Sequence, residues 1–381
     1  MDEVREATSA EREGWDGLAV DAPGGHVYQS IAWARHRASA GWHPRFLVTP
    51  DGGRVLSLER PWPWTGGSSA YIPRGPVRAG VGGADDPAPA AALATRLVVV
   101  SDWLGAAGVD VVAADAEVPA ANTAYGSAIR AAGFAPIEEI QPSRHKVALP
   151  LDPDAGEGPV LDAIAKSTRQ RIRAAERDSV VVVRHDRRQA GGTAGDGFLG
   201  PSEPSEVALD RFYDLLVETG ERRSFGFGPR ERFVPWWVAA LRAGHLVYLE
   251  ARAAAAAADG EVLAGLVLYR HGGRLSTVHS GDHAAGRALH PGALHLLRWR
   301  AIQLAIRERC GEMDLGGVDV AGARREPLEG EPMAGLYQHK RSFGGRWVEL
   351  TGAHERILDG RGYALGRLAM RTRRALGRSS G

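Results

Sequence analysis

Of the 47 basic residues in this 381-residue chain only three are lysine, Lys146, Lys166 and Lys340; the remaining 44 are arginine. Arginine replaces lysine readily on a solvated surface, but poorly where a compact ammonium is required. Each surviving lysine therefore marks a position where a small point charge is the feature to explain. Lys340 stands in Gly335-Leu336-Tyr337-Gln338-His339-Lys340-Arg341-Ser342-Phe343-Gly344-Gly345. Lys166 opens a basic run with Arg169, Arg171, Arg173 and Arg177, followed by Arg184, Arg187 and Arg188. Such a run reads either as a phosphate-facing array or as a solvated basic face.

Other chemistries find no support. His283, His290 and His295 come without an HExxH pattern or a carboxylate cluster, so no metal centre is expected. No Walker loop, no GxSxG and no GxGxxG in strand–helix context occurs. The single cysteine, Cys310, excludes an internal disulfide and reads as a buried thiol. A coenzyme A pyrophosphate turn of the form [RQ]xxGx[GA] occurs at residues 130–135, a helix C-cap, at residues 189–194, in a Gly- and Ser-rich insertion, and at residues 223–228, between the two helices that precede the meander. None opens a helix after the central strands, where backbone N–H groups would hold a pyrophosphate. No cofactor is expected.

The elements that must position these residues follow from periodicity. A formal net charge of +1 and 44% apolar residues describe a globular protein, long enough for two domains of roughly 150–200 residues. No apolar run reaches the length of a membrane helix; 90–100 is interrupted by Thr95 and Arg96. The first residues lack a basic start and an apolar stretch, which predicts a cytoplasmic protein. Residues 26–37, 88–105 and 120–132 read as helices, and 45–49, 54–58, 69–72, 109–114 and 146–151 as strands. From 160 the pattern restarts with a basic helix 160–177 and a strand 179–184. A helix pair (206–222, 229–243) follows, then strands at 245–254, 261–269 and 275–280, a helix 292–309 and a strand 312–315. An alanine tract, 253–258, sits at the first hairpin tip. Helix pair, three-strand meander, helix, strand is the order of a GNAT acyltransferase, and the class is α/β (α+β). The stretch 351–381 carries seven arginines against Glu355 and Asp359. Leu365, Leu368, Ala369, Thr372 and Leu376 recur there at helical spacing, predicting a basic amphipathic helix whose apolar stripe docks on the domain. Contact with RNA or lipid phosphate is the alternative use of such a helix, so peripheral membrane contact is a further partner to test.

Several motifs together carry a resemblance. Gln29-Ser30-Ile31-Ala32-Trp33 with Gly41-Trp42, then Tyr71-Ile72-Pro73-Arg74-Gly75-Pro76, His279-Ser280-Gly281, Asp314-Leu315-Gly316-Gly317 and the 335–345 motif resemble the Fem family, the aminoacyl-tRNA-dependent transferases of the peptidoglycan interpeptide bridge. The resemblance spans about residues 20–360 and implies two GNAT-like domains with a channel between them: 1–150, completed by 345–381, and 151–344. It implies a member without the coiled-coil arm, a monomer, with aminoacyl-tRNA as donor and a muramyl-pentapeptide on UDP or lipid as acceptor.

Position by position, Lys340 matches the family's lysine at the transfer site, where an ammonium stabilises the oxyanion; the preceding family phenylalanine is His339 here. Arg37 matches a basic residue on the acceptor's diphosphate, and Arg230 a second one, although the flanking sequence permits Arg232. Asp115 matches an acidic position that orients or deprotonates the attacking amine. Tyr71 and Tyr337 complete the substrate side, and Lys166, Arg169 and Arg173 the donor side. The competing readings are a GNAT-type N-acyltransferase using acyl-CoA or another donor outside cell-wall synthesis, and a catalytically silent paralogue.

Overall fold

The computed structural model describes residues 3–77, 87–141, 144–188, 197–223, 226–253, 261–318 and 325–378. The pyrophosphate-turn match at 189–194 and the alanine tract from 254 to 258 lie outside the described residues. The chain forms two compact units, Met1–His145 with Val348–Gly381, and Lys146–Trp347.

In the first unit His43–Val48, Arg54–Pro61 and Ser68–Ile72 form an antiparallel meander, edged by Arg5–Glu6. Ser68–Ile72 then pairs in parallel with Val109–Ala114. A parallel pair needs a crossover, and the helix Pro87–Ala106 supplies it. Its Leu93, Leu97, Val100 and Leu104 are buried and recur three and four residues apart, so one stripe lies on the sheet. The strand His354–Ile357 slots between Val109–Ala114 and Ala135–Pro136, antiparallel to both. The periodicity reading missed this strand, because four residues alternating between charged and apolar give too short a signal.

The second unit repeats the scheme. The helices Ser205–Arg222 and Arg230–Arg242 precede a meander of Leu246–Arg252, Val262–His271 and Arg274–Asp282. The helix Ala293–Arg307 then crosses to Glu312–Asp314, which lies parallel to Arg274–Asp282. Val181–Asp186 and the strands His145–Pro150 and Arg346–Glu349 complete a seven-stranded sheet. Its core gathers Leu249, Leu266, Leu297, Ile302, Met313 and Phe343. Cys310 is buried, and burial pushes its thiol up to about 12, which makes it inert.

Three expectations are corrected. Residues 26–37 form a single 3-10 turn, Val27–Gln29, and then a separate helix Ile31–Ser39. Ser30 divides them, because its Oγ accepts the Trp33 N–H at 3.0 Å as a helix cap. Residues 160–177 form two helices, Gly158–Ala163 and Lys166–Arg177, since Ile164 is extended. In the C-terminal helix Gly360–Arg378 only part of the expected stripe docks: Ala369 is buried, beside Gly366, while Leu365 is 57% and Leu368 60% exposed. Among the described residues no helix is long and apolar enough to cross a membrane.

Candidate active site

Both units end their parallel strand pair in a polar cluster, the place where open α/β sheets hold ligands. In the second unit the parallel pairing lasts only from Arg274 to Ser276 on one strand and from Glu312 to Asp314 on the other. Past it, Arg274–Asp282 continues alone on that side and the chain turns at Gly316, whose φ is +80°. A side chain at Gly316 would place its Cβ 2.9 Å from the Thr277 carbonyl oxygen and 3.2 Å from the Lys340 Nζ. Asp314 fixes this turn by accepting the Gly316 N–H at 2.7 Å. Lys340, on the helix Ala334–Arg341, is 5% exposed and donates to the Gly317 carbonyl at 2.6 Å.

Around it, beyond the Asp314 carboxylate, stand two histidines and a buried arginine. The His339 ring stands edge-on to His295 at 4.6 Å and packs on Phe343 at 5.4 Å. Desolvation, reinforced by Arg298, His295 and Lys340, drives His339 down to about 2 and keeps it neutral. His295 falls to about 4, first by burial and then by Arg171 and Arg298. Arg298 is 3% exposed, lies over the Phe343 ring at 6.0 Å, and its Nε and Nη1 have no hydrogen-bond partner among the described residues. Burial lowers it to about 10. Sequence reasoning missed Arg298 and weighed His295 only as a metal ligand; the available signal was an arginine and a histidine on the apolar face of Ala293–Arg307.

In the first unit the matching point carries Asp115, directly after Val109–Ala114. The carboxylate is buried and accepts from the Tyr71 hydroxyl at 2.9 Å and from the Arg74 N–H at 2.7 Å. Arg74 Nε lies 3.8 Å from Asp115 and 3.9 Å from Glu117, which in turn stands 3.7 Å from His26. Desolvation raises Asp115 to about 6 against the opposing pull of Arg74. Gln141 donates to the Tyr71 hydroxyl at 3.1 Å. Arg74 is the residue that sequence reasoning passed over here; it stands in the 71–76 motif without a role of its own. A short distance along the chain an aromatic ladder begins, with Tyr28 stacked on Trp33 at 4.3 Å. Arg37 is half-buried, its guanidinium 5.4 Å from the Trp33 ring and 5.2 Å from the Trp42 ring.

The remaining candidates have other partners or face solvent. Arg230 donates to the Asp210 carbonyl and carboxylate at 2.9 and 2.7 Å, pairs with Asp214, and lies over Tyr213 at 4.6 Å. It staples two helices, so a diphosphate there would have to displace two aspartates; Arg232 is exposed. Tyr337 is a core residue, edge-on to Trp347, with its hydroxyl held by Glu326. Lys166 and Arg173 are exposed on the helix Lys166–Arg177. Arg169 instead turns back, its Nη1 capping the carbonyls of Leu161, Asp162 and Ile164 at 2.9–3.1 Å. Arg184 is also withdrawn, paired with Asp186 and Glu308. Among the described residues no group of three or more His, Cys, Asp or Glu could hold a metal ion.

Residues 164–341 match the family described as "Acetyltransferase (GNAT) domain". No curated protein sequence matches the chain. Among solved structures, one described as the crystal structure of FemX is similar over 95% of this chain and 99% of its own, with a TM-score of 0.73 at 18% identity. A conserved protein of unknown function from Bacteroides thetaiotaomicron VPI-5482 is similar over 93% of this chain and 99% of its own, with a TM-score of 0.52 at 14% identity. The fold is therefore similar to that of FemX, two α/β units in one chain, and the second unit carries the match to the GNAT acetyltransferase domain.

Proposed function

We propose that this protein transfers an aminoacyl group from an aminoacyl-tRNA to a stem-peptide amine of a peptidoglycan precursor, carried on UDP or on lipid. The observation that carries the reading is Lys340, a buried ammonium fixed by the Gly317 carbonyl where a parallel strand pair parts, in a chain almost emptied of lysine. An aminoacyl ester is already activated, so the reaction needs positioning and charge stabilisation rather than a protein nucleophile. The acceptor amine attacks the ester carbonyl, the C–N bond forms, and the carbonyl oxygen becomes an oxyanion beside the Lys340 ammonium. The C–O bond to the ribose then breaks, and the leaving oxygen takes up the proton that the amine releases.

Arg37, braced between two indoles, is the residue for the acceptor's diphosphate, because a guanidinium held on aromatic faces keeps its fork pointed while losing little freedom on binding. Asp115 is a positioning residue in this scheme, since both its oxygens hold Tyr71 and Arg74. Lys166 and Arg173 are the exposed cations for donor phosphates.

The match to an acetyltransferase domain favours a second reading, an N-acyltransferase that uses an acyl-CoA. One assay separates the two: the protein is incubated with charged total tRNA and a UDP-muramyl-pentapeptide, and the acceptor is weighed by mass spectrometry. An aminoacyl mass increment that ribonuclease abolishes and coenzyme A removal leaves intact supports the tRNA donor. Transfer that survives ribonuclease and requires an acyl-CoA hands the function to the second reading.

A further inference from the structure

The C-terminal helix Gly360–Arg378 presents an unusual outer face. Its inner face is set by Gly366, where a Cβ would meet the Trp62 ring at 2.4 Å, so only glycine lets the indole lie flat on the helix. At about 100° per residue, Leu368 lies roughly 160° round the helix from Gly366, and Leu365 sits about 60° from Leu368. Both leucines are more than half exposed, at 60% and 57%. From residue 360 to 381 the sequence holds six arginines and no acid. Arg371, exposed, follows Leu368 by three residues and flanks the apolar strip; Arg367, also exposed, stands over the Tyr363 ring at 5.7 Å.

We propose that this helix docks the first unit on the surface of a membrane rich in anionic lipid. Leucine at the acyl boundary with arginines at headgroup level is the division of labour of an interfacial helix. Charge complementarity selects the occupant: a helix with arginines and no acid is attracted to anionic headgroups, each arginine contributing separately. A nucleic acid would use the same arginines but gains nothing from burying Leu365 and Leu368, and this favours lipid. The inference goes beyond the proposed reaction and does not depend on it.

The test is co-sedimentation of the full-length protein with vesicles of phosphatidylcholine alone and with about one third phosphatidylglycerol. The protein should pellet with the anionic vesicles only and be released by high salt. Arg367→Gln with Arg371→Gln should weaken partitioning by roughly 30-fold, from the worth of two arginines at the surface. Leu365→Ser with Leu368→Ser should weaken it by about tenfold or more, with the thermal midpoint and transfer to a soluble acceptor unchanged, since these side chains make no core contact. Absence of binding to anionic vesicles overturns the proposal. So does binding that the leucine pair leaves intact, or arginine-dependent retention of total RNA in place of vesicles, which would make the helix a nucleic-acid surface.

Discussion

Replacing Lys340 separates charge from shape at the position where Lys340 and Arg298 stand buried in the second unit. In Lys340→Arg the charge stays, but the guanidinium must enter a space bounded by Gly316, whose ideal Cβ position lies 3.2 Å from the Lys340 Nζ. On the proposed reaction, the planar fork is expected to miss either the developing oxyanion or the Gly317 carbonyl, so one transition-state contact is lost. Removing a single oxyanion donor lowers kcat by about 10²–10³, or roughly 3–4 kcal/mol. KM for the acceptor should stay within about twofold, because the contact forms only after attack. Lys340→Met removes the charge and strands the Gly317 carbonyl, which costs about 1–3 kcal/mol of stability as well. In a unit of this size that corresponds to a thermal midpoint lower by roughly 3–10 °C. The assay is steady-state aminoacyl transfer well below both midpoints, with circular dichroism on each variant. Parental turnover in Lys340→Arg refutes the reasoning. A rate loss in Lys340→Met that vanishes on cooling, in step with refolding, would make Lys340 a structural tie and nothing more.

Three further outcomes follow from neighbouring geometry. Gly316→Ala forces a Cβ against the Thr277 carbonyl at φ +80°, a strain of about 1–2 kcal/mol, and should lower kcat by displacing the Lys340 ammonium while leaving KM alone; an unchanged kcat would detach the turn from the chemistry. Arg37→Ala should raise the acceptor KM on the order of tenfold, from the loss of a charge-assisted contact, whereas Arg230→Ala should lower only the thermal midpoint, by no more than about 1 kcal/mol of stability for a part-exposed ion pair; the reverse pattern in KM would exchange their roles. Burial holds the Asp115 pKa at about 6 in the fold against 3.8 in the free side chain, so proton binding favours the folded state and this group's contribution to stability falls as pH rises from about 4 to 6. Relative to the parent, Asp115→Asn should therefore gain up to about 3 kcal/mol between pH 4 and 7 in urea unfolding, and a pH-independent difference would show that the carboxylate is not held this way.

The order of elements and the position of Lys340 were legible because each leaves a local mark: alternation, helical spacing, a lysine among arginines. What was not legible depends on which surfaces meet. Arg230 reads as a phosphate ligand until Asp210 and Asp214, one turn apart on the neighbouring helix, are seen to face it. Arg169 reads as one more cation of a basic face, yet its side chain reaches back to the end of the preceding helix, a break that the continuous basic pattern hid. Leu365 and Leu368 share the spacing of a docking stripe, but the flat Trp62 ring prefers the glycine face, and this choice turns the leucines outward. Arg298 is the opposite case, an arginine placed among apolar residues where pattern alone expects a leucine.

The strand His354–Ile357 lies inside the first unit's sheet although its partners, Val109–Ala114 and Ala135–Pro136, are made more than two hundred residues earlier. During synthesis at about 5–20 residues per second, the emerging first unit waits on the order of 10–40 s with both strand edges open, while the whole second unit is made. Such edges are templates for pairing with other chains. The second unit, contiguous in sequence, can close its sheet first, so the N-terminal unit is the last to reach its final form. Its exposure to misassembly in the cell is governed by translation rate and chaperone cover rather than by its finished stability.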